Sequence, residues 1–511
     1  MNGAESLVRT LLKSGVDTCF ANPGTSELHF VSALDRIPGM RCVLNLFEGV
    51  ATGCADGYGR MTGKPAATLL HCGPGFANGL ANLHNARRAC APIVNIVGDQ
   101  ATAHRPLDSN LTADTEGWAR PVSAWVRTAA SSASVGADAA VAVQAARTHP
   151  GQIATLILPA DTAWDEGGQV AEPLPVPPAP EPPPHTVRQI AELLRRGEPC
   201  MLFLSRNALL EPGLEAAHGI AAATGARLMA QQANPRIARG RGRVPIDCLP
   251  YTMDRAREAL ASVKHLILVG AMRPVAVFAY PTQRGHLTAP ETIIHVLARP
   301  DQDPVRALEA LAEELPAPHL PLPERPAPSG PAKGELTPAA VGQTLAALMP
   351  AHSIVSDEAV SFRGVYAHTQ CAPPHDWMQN MGSAIGMGMP LATGAAIAAP
   401  GRRVITLQAD GSAMYTMQAL WTQAREQLDV TTLILSNRKY AILLDELANV
   451  GAQAGPMSQL LTDIGNPSLD WIKIANGMGV EAAVAQNCEQ LADLLRHSFH
   501  TAGPFLIELA I

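Results

Sequence analysis

Two oxygen-bearing side chains stand directly after two strand-like runs in the last third of this 511-residue chain. Ala409-Asp410-Gly411-Ser412 follows RVITLQ, and Asn437 follows VTTLILS, 27 positions beyond Asp410. In a parallel sheet the carboxyl ends of successive strands share one edge, where ligands gather. Asp410 and Asn437 would then present two hard oxygens to one point, which suits Mg²⁺ completed by phosphate oxygens and water. Gly411 and Ser412 open a following helix and can donate to phosphate. Taken alone, Asp-Gly after a strand is most often only a turn.

A second group lies near the amino end. Glu48 starts the helix-like EGVATGCADGYGR, and its neighbours Leu44, Leu46, Phe47 and Val50 are apolar. Burial among them would partly desolvate the carboxylate. The plainer reading is a carboxylate favoured by a helix dipole. His71 ends the run AATLLH before Gly73-Pro74-Gly75, a place where a lone imidazole is usually structural. Asn22-Pro23-Gly24-Thr25-Ser26-Glu27 reads as a turn capping a helix. Cys72, next to His71, should face the opposite side of the strand.

The elements that must hold these groups alternate throughout the chain. APIVNIVGD, IATLILPAD, CMLFLS and HLILVGA are short apolar runs separated by helical patterns. Such alternation implies parallel sheets with right-handed crossovers. Proline-rich stretches at 171–185 and 315–334 act as extended connectors. The expected architecture is three consecutive parallel-sheet α/β domains at 1–170, 186–314 and 335–511, the first and third being candidate structural cousins.

Composition excludes several classes. With 47% hydrophobic and 16% charged residues the chain can bury several cores. A net charge of −7 gives no basic footprint for nucleic acid. Nine scattered cysteines without a CxxC pair indicate neither zinc nor a disulfide framework. The uncharged stretch at 382–400 holds glycine, serine and two prolines, so it reads as a buried turn and helix, not a membrane span. No signal peptide is apparent, and a soluble cytoplasmic protein is expected. RGRGR at 239–243 reads as a solvated loop, and the middle segment shows no dinucleotide fingerprint, so FAD is not expected.

The ordered set of motifs resembles the thiamine-diphosphate-dependent enzymes, in particular their acetolactate synthase and benzoylformate decarboxylase branch. The resemblance covers nearly the whole chain. It implies a pyrimidine-binding first domain, a central domain and a diphosphate-binding third domain. ADG…N matches the family's GDG…N metal signature with Ala409 in place of the first glycine; Asp410, Asn437 and the Lys439 carbonyl are the implied Mg²⁺ ligands. Glu48 is implied to bond N1′ of the aminopyrimidine. His71 and Thr25 match the substrate-side His and Ser of the benzoylformate decarboxylase branch. That branch's second active-site His is missing, its place falling at Val277 or Phe278. On the cofactor side the resemblance assigns Gly411, Ser412, Ser361 and Tyr440, with Ile385 as the bulky wedge beneath the rings.

The implied activity is decarboxylation of a 2-oxo acid, or carboligation to an aldehyde, through a C2 carbanion or enamine. Cleavage of 2-hydroxyacyl-CoA compounds is the alternative within the same chemistry. A non-catalytic cofactor-binding homologue is the alternative of another class, against which an intact Glu48 argues. In the family each site straddles two chains, so a homodimer or homotetramer is expected.

Overall fold

The computed structural model describes residues 1–316, 321–322 and 325–511, and it arranges them around three sheets. The first sheet is built from β1 (Thr18–Asn22), β2 (Arg41–Leu44), β3 (Ala66–Leu70), β4 (Ile93–Asp99), β5 (Trp125–Thr128) and β6 (Ile153–Pro159). All its pairings are parallel, in the order β2-β1-β3-β4-β6-β5. β3, β4 and β6 are buried along their whole length, which is why their sequences are unbroken apolar runs instead of alternating ones.

The middle segment contributes β7 (Cys200–Leu204), β8 (Arg227–Ala230), β9 (Ile237–Arg239), β10 (His265–Val269) and β11 (Ile293–Ala298). Four of these form a parallel sheet in the order β11-β10-β7-β8. β9 leaves that sheet. It pairs antiparallel with β13 (His375–Gln379), and so becomes the edge of the third sheet. The remaining strands there are β12 (Ile354–Glu358), β14 (Val404–Ala409), β15 (Val430–Ser436), β16 (Glu481–Ala485) and β17 (Phe505–Ala510), in the order β16-β17-β15-β14-β12-β13-β9.

Without β9, the third sheet has the strand order of the first: counted within each sheet, both run 2-1-3-4-6-5. The expected kinship of the two segments therefore holds at the level of topology. In such a sheet the crossovers reverse direction between strands 1 and 3, leaving a crevice at their carboxyl ends. In the first sheet that crevice opens between Asn22 and Leu70, in the third between Glu358 and Ala409. The uncharged stretch becomes the Gly388–Ala398 helix, buried through Ile397, which packs on the Glu48–Thr62 helix of the first segment. A Cβ on Gly394 would lie 1.8 Å from the Cys54 carbonyl oxygen, so glycine is what lets these helices approach. No described helix is long and apolar enough to cross a membrane.

The solvated-loop reading of RGRGR is overturned. Arg239 lies buried in β9, with its guanidinium 3.5 Å from the centre of the Tyr366 ring and donating to Thr369 Oγ1 and to the Ile246 and Tyr366 carbonyls. Arg243 reaches the carbonyls of Arg239 and His375. The second proline-rich stretch falls partly outside the described residues.

His375, at the β9–β13 seam, is buried, and its Nδ1 is 2.8 Å from the Pro373 carbonyl. Burial pushes its pKa down from 6.5 to about 4, against the opposing hydrogen bond to the Pro373 carbonyl, with Arg239 and Arg243 adding to the fall and Asp376 opposing it more weakly. A folded pKa below the unfolded one contributes stability above pH 6.5 that is lost as pH falls toward 4. Between pH 7 and pH 5 the loss comes to about 2 kcal/mol. Urea midpoints at the two pH values should fall further apart in the wild type than in His375→Phe; an equal gap would place the acid sensitivity elsewhere.

Candidate functional site

In the third sheet Asp410 and Asn437 stand just past the ends of the neighbouring strands β14 and β15. The Asp410 carboxylate draws the two loops together: Oδ2 accepts from the Arg438 N–H at 2.6 Å and Oδ1 from the Gly411 N–H at 2.8 Å. Asn437 Nδ2 donates to Ser361 Oγ at 3.2 Å, which adds the loop after β12. Asp410 is buried, has no cationic side chain in salt-bridge range among the described residues, and its carboxyl is pushed up by that burial. A buried carboxylate of this kind, beside an amide oxygen, suits a hard cation.

A cavity of about 310 Å³ opens over this edge. Its walls include Ser361, Ile385, Asp410, Gly411, Ser412, Lys439 and Tyr440, seven of the residues expected from the sequence. Asn437 stands just behind, bonded to Ser361. A Cβ on Gly411 would meet the Tyr440 ring at 2.4 Å, so only glycine allows that ring to close over the loop. Ala409 has φ −68° and ψ 144°, an ordinary extended conformation, and its departure from glycine therefore carries no backbone strain. Beyond the polar end the walls are apolar, with Ile442, Leu443 and Leu461. Glu446 takes no part in them. It accepts from Tyr251 Oη at 3.0 Å and Tyr280 Oη at 2.5 Å, which ties the Ala441–Asn449 helix to the middle segment and, after desolvation, helps push the Tyr280 phenol up to about 12.

Glu48, His71 and Thr25 gather at the other crevice, and none of them lines the cavity. Glu48 is buried as the first residue of its helix, and its Oε2 accepts from Asn78 Nδ2 at 2.9 Å. A Cβ on Gly75 would fall 2.6 Å from Oε1, so the glycine turn makes room for the carboxylate. His71 sits one residue past β3, and Gly24, beside Thr25, packs against its ring so closely that a Cβ there would lie 2.1 Å from Nδ1.

Glu27 is the residue of this crevice whose contact with His71 sequence reasoning missed. Its buried carboxylate accepts from the Gly24 N–H at 2.8 Å, and its Oε2 lies 2.8 Å from His71 Nδ1. With that carboxylate ionised, Nδ1 carries the proton and Nε2 is the free nitrogen. A glutamate three residues after a turn glycine reads as a cap, which it also is; its second role appears only when β3 is placed beside β1. The expectation that Cys72 faces away from His71 fails, because the strand ends at Leu70 and Cys72 turns back with φ +51°. Its thiol lies 3.3 Å from Ser26 Oγ, and burial pushes its pKa up to about 12, so it is no nucleophile.

Comparison with known proteins matches both the first and the third segment. Residues 1–118 match the thiamine pyrophosphate enzyme N-terminal TPP-binding domain, and residues 361–509 the corresponding C-terminal TPP-binding domain. The chain is 48% identical to IlvX of Mycobacterium tuberculosis, which carries the name of an acetolactate synthase large subunit, over 100% of this chain and 99% of that protein. It is 28% identical to benzoylformate decarboxylase of Pseudomonas aeruginosa, over 98% and 97% of the two chains. The structure of the thiamine diphosphate-dependent 4-hydroxybenzoylformate decarboxylase of Rhodococcus jostii RHA1 shares the fold, with a TM-score of 0.84 at 24% identity over 99% and 98%.

Proposed function

This chain belongs to the thiamine pyrophosphate enzymes, and on that premise we propose that it decarboxylates a small or medium 2-oxo acid and can pass the product fragment to an aldehyde. The observation that carries this reading is the single cavity that gathers Ser361, Ile385, Asp410–Ser412 and Tyr440 from separate loops. Its polar end fits a diphosphate with Mg²⁺ held by Asp410, Asn437 and the Lys439 carbonyl; its apolar end fits a pair of rings and an alkyl or aryl substrate. When bound, thiamine diphosphate would supply a carbon nucleophile and an electron sink for 2-oxo acid decarboxylation.

The protein's own groups supply position and protons. Glu48, held by Asn78, would keep a proton at N1′ of the aminopyrimidine. His71, with Glu27 fixing its tautomer, would move a proton at Nε2 on the substrate side, next to Thr25. Because these three lie outside the cavity of their own chain, we place each complete site between the first segment of one chain and the third of a second, in a homodimer or dimer of dimers. A cytoplasmic location fits such chemistry.

Titration with thiamine diphosphate and Mg²⁺, followed by CO₂ release from pyruvate and benzoylformate, tests the activity. Cleavage of a 2-hydroxyacyl-CoA without any CO₂ release would put lyase chemistry in its place. A monomer in light scattering that binds one full equivalent of cofactor would end the shared-site reading. In the active enzyme, His71→Ala should lower turnover about 10²-fold or more, the scale of a lost acid/base group. Glu27→Gln should cost about tenfold through the lost charged hydrogen bond. Wild-type rates in both variants would remove the pair from the chemistry.

A further inference from the structure

The Cys72–Ala89 helix carries Asn78, Asn82 and Asn85 at i, i+4 and i+7, which places them on one face. Each amide has a defined task. Asn78 Nδ2 donates to Glu48 Oε2 at 2.9 Å. Asn82 Nδ2 donates to the Gly49 carbonyl at 2.8 Å and to the Gly386 carbonyl at 3.3 Å. Asn85 Nδ2 donates to the Ala384 carbonyl at 2.8 Å and to Asn82 Oδ1 at 3.0 Å, while its Oδ1 accepts from the Ala384 N–H at 3.2 Å. One face of one helix therefore grips the start of the Glu48 helix and, across the segment boundary, both main-chain neighbours of Ile385.

Asn82 and Asn85 are 3% and 0% exposed, and a Cβ on Gly382 would lie 2.5 Å from Asn85 Oδ1. Apolar side chains would fill such space with less desolvation, whereas a fully satisfied polar network fixes one arrangement. On the far side of the same turn, the buried Glu358 carboxylate accepts from the Gly386 N–H at 3.0 Å and the Gly388 N–H at 2.8 Å. The loop bearing Ile385 is thus held from both sides, by Glu358 within its own segment and by the asparagines from the first.

We infer that this asparagine stripe is a positioning element shared by two cofactor sites of the dimer: Asn78 decides which Glu48 oxygen is left free for the ring held by the partner's third segment, and Asn82 with Asn85 sets the height of Ile385 in the site of their own chain's third segment. The inference rests on the roles proposed above for Glu48 and Ile385. Two variants separate its halves. Asn78→Ala removes the donor at an exposed position without adding charge; it should slow hydrogen–deuterium exchange at C2 of thiamine diphosphate about tenfold or more, with calorimetric affinity for the cofactor and Mg²⁺ unchanged. Asn82→Ser, and separately Asn85→Ser, should weaken that affinity about tenfold, with exchange per bound cofactor near the wild-type rate. Lower melting temperatures with affinity and exchange both at wild-type values would make the stripe mere packing and overturn the inference. Failure of the wild type to bind thiamine diphosphate at all would instead remove the site reading, and this inference with it.

Discussion

Asp410→Ala is expected to lose Mg²⁺-dependent retention of thiamine diphosphate. The carboxylate is the anionic side chain of the cavity, and it also holds the loop after β15 through the Arg438 N–H. Its removal takes away one hard ligand and loosens the loop that presents Asn437 and the Lys439 carbonyl. Affinity should fall by tens-fold at least, the usual scale for damage to a metal site. Calorimetry with and without Mg²⁺ reads the effect. The metal should strengthen cofactor binding in the wild type and make little difference in the variant. Asp410→Asn sharpens the comparison, because it keeps the shape and one oxygen but loses the charge and one of the two acceptors for the Arg438 and Gly411 N–H groups. Unchanged affinity in Asp410→Ala would mean that the loop after β14 is a turn and nothing more.

Glu48→Gln should leave the fold and cofactor affinity near wild type and stop proton activation of the bound cofactor. Glutamine fills the same space, and its amide oxygen can still accept from Asn78 Nδ2, so the local packing survives. What disappears is the group able to hold a proton against a ring nitrogen. No other carboxylate is bonded to Asn78 or faces the Gly75 turn among the described residues. The loss should be about 10²- to 10⁴-fold in C2 hydrogen–deuterium exchange, the range of general acid–base catalysis. Quenched-flow NMR of the exchange decides the matter, since wild-type speed in the variant would take Glu48 out of the mechanism. The two substitutions are expected to fail differently, one in binding and the other in exchange.

Much of this was legible in the sequence because parallel strands buried on both faces announce themselves as apolar runs. Asp410, Asn437 and His71 each follow such a run closely, so the topology carries them to a sheet edge with little further information. Glu27 and the asparagine stripe were hidden for a different reason. Glu27 meets His71 44 positions away, and Asn85 meets Ala384 299 positions away. Neither partner changes the local pattern, since glutamate near a turn and asparagine on a helix face have ordinary local explanations. β9 was hidden most thoroughly. Its three residues, Ile237–Arg239, sit beside a run of arginines, and composition gives no sign that an aromatic ring in the third segment waits for one of them.

That small strand also decides how far the third segment could ever act as an interchangeable cassette. A fragment starting at residue 335 would contain β13 but not β9, leaving the ladder from His375 to Trp377 open along one side. An unpaired edge of this kind recruits strands from other molecules, and burying Trp377 beside it adds an apolar lure. Such a fragment should self-associate on expression, and a peptide spanning residues 234–243, which supplies the missing edge strand, should reduce that association. Recombination between relatives that exchanges only residues 335–511 would likewise have to match the donor's sheet edge to the recipient's β9. The seam between the segments is thus a joint woven from both.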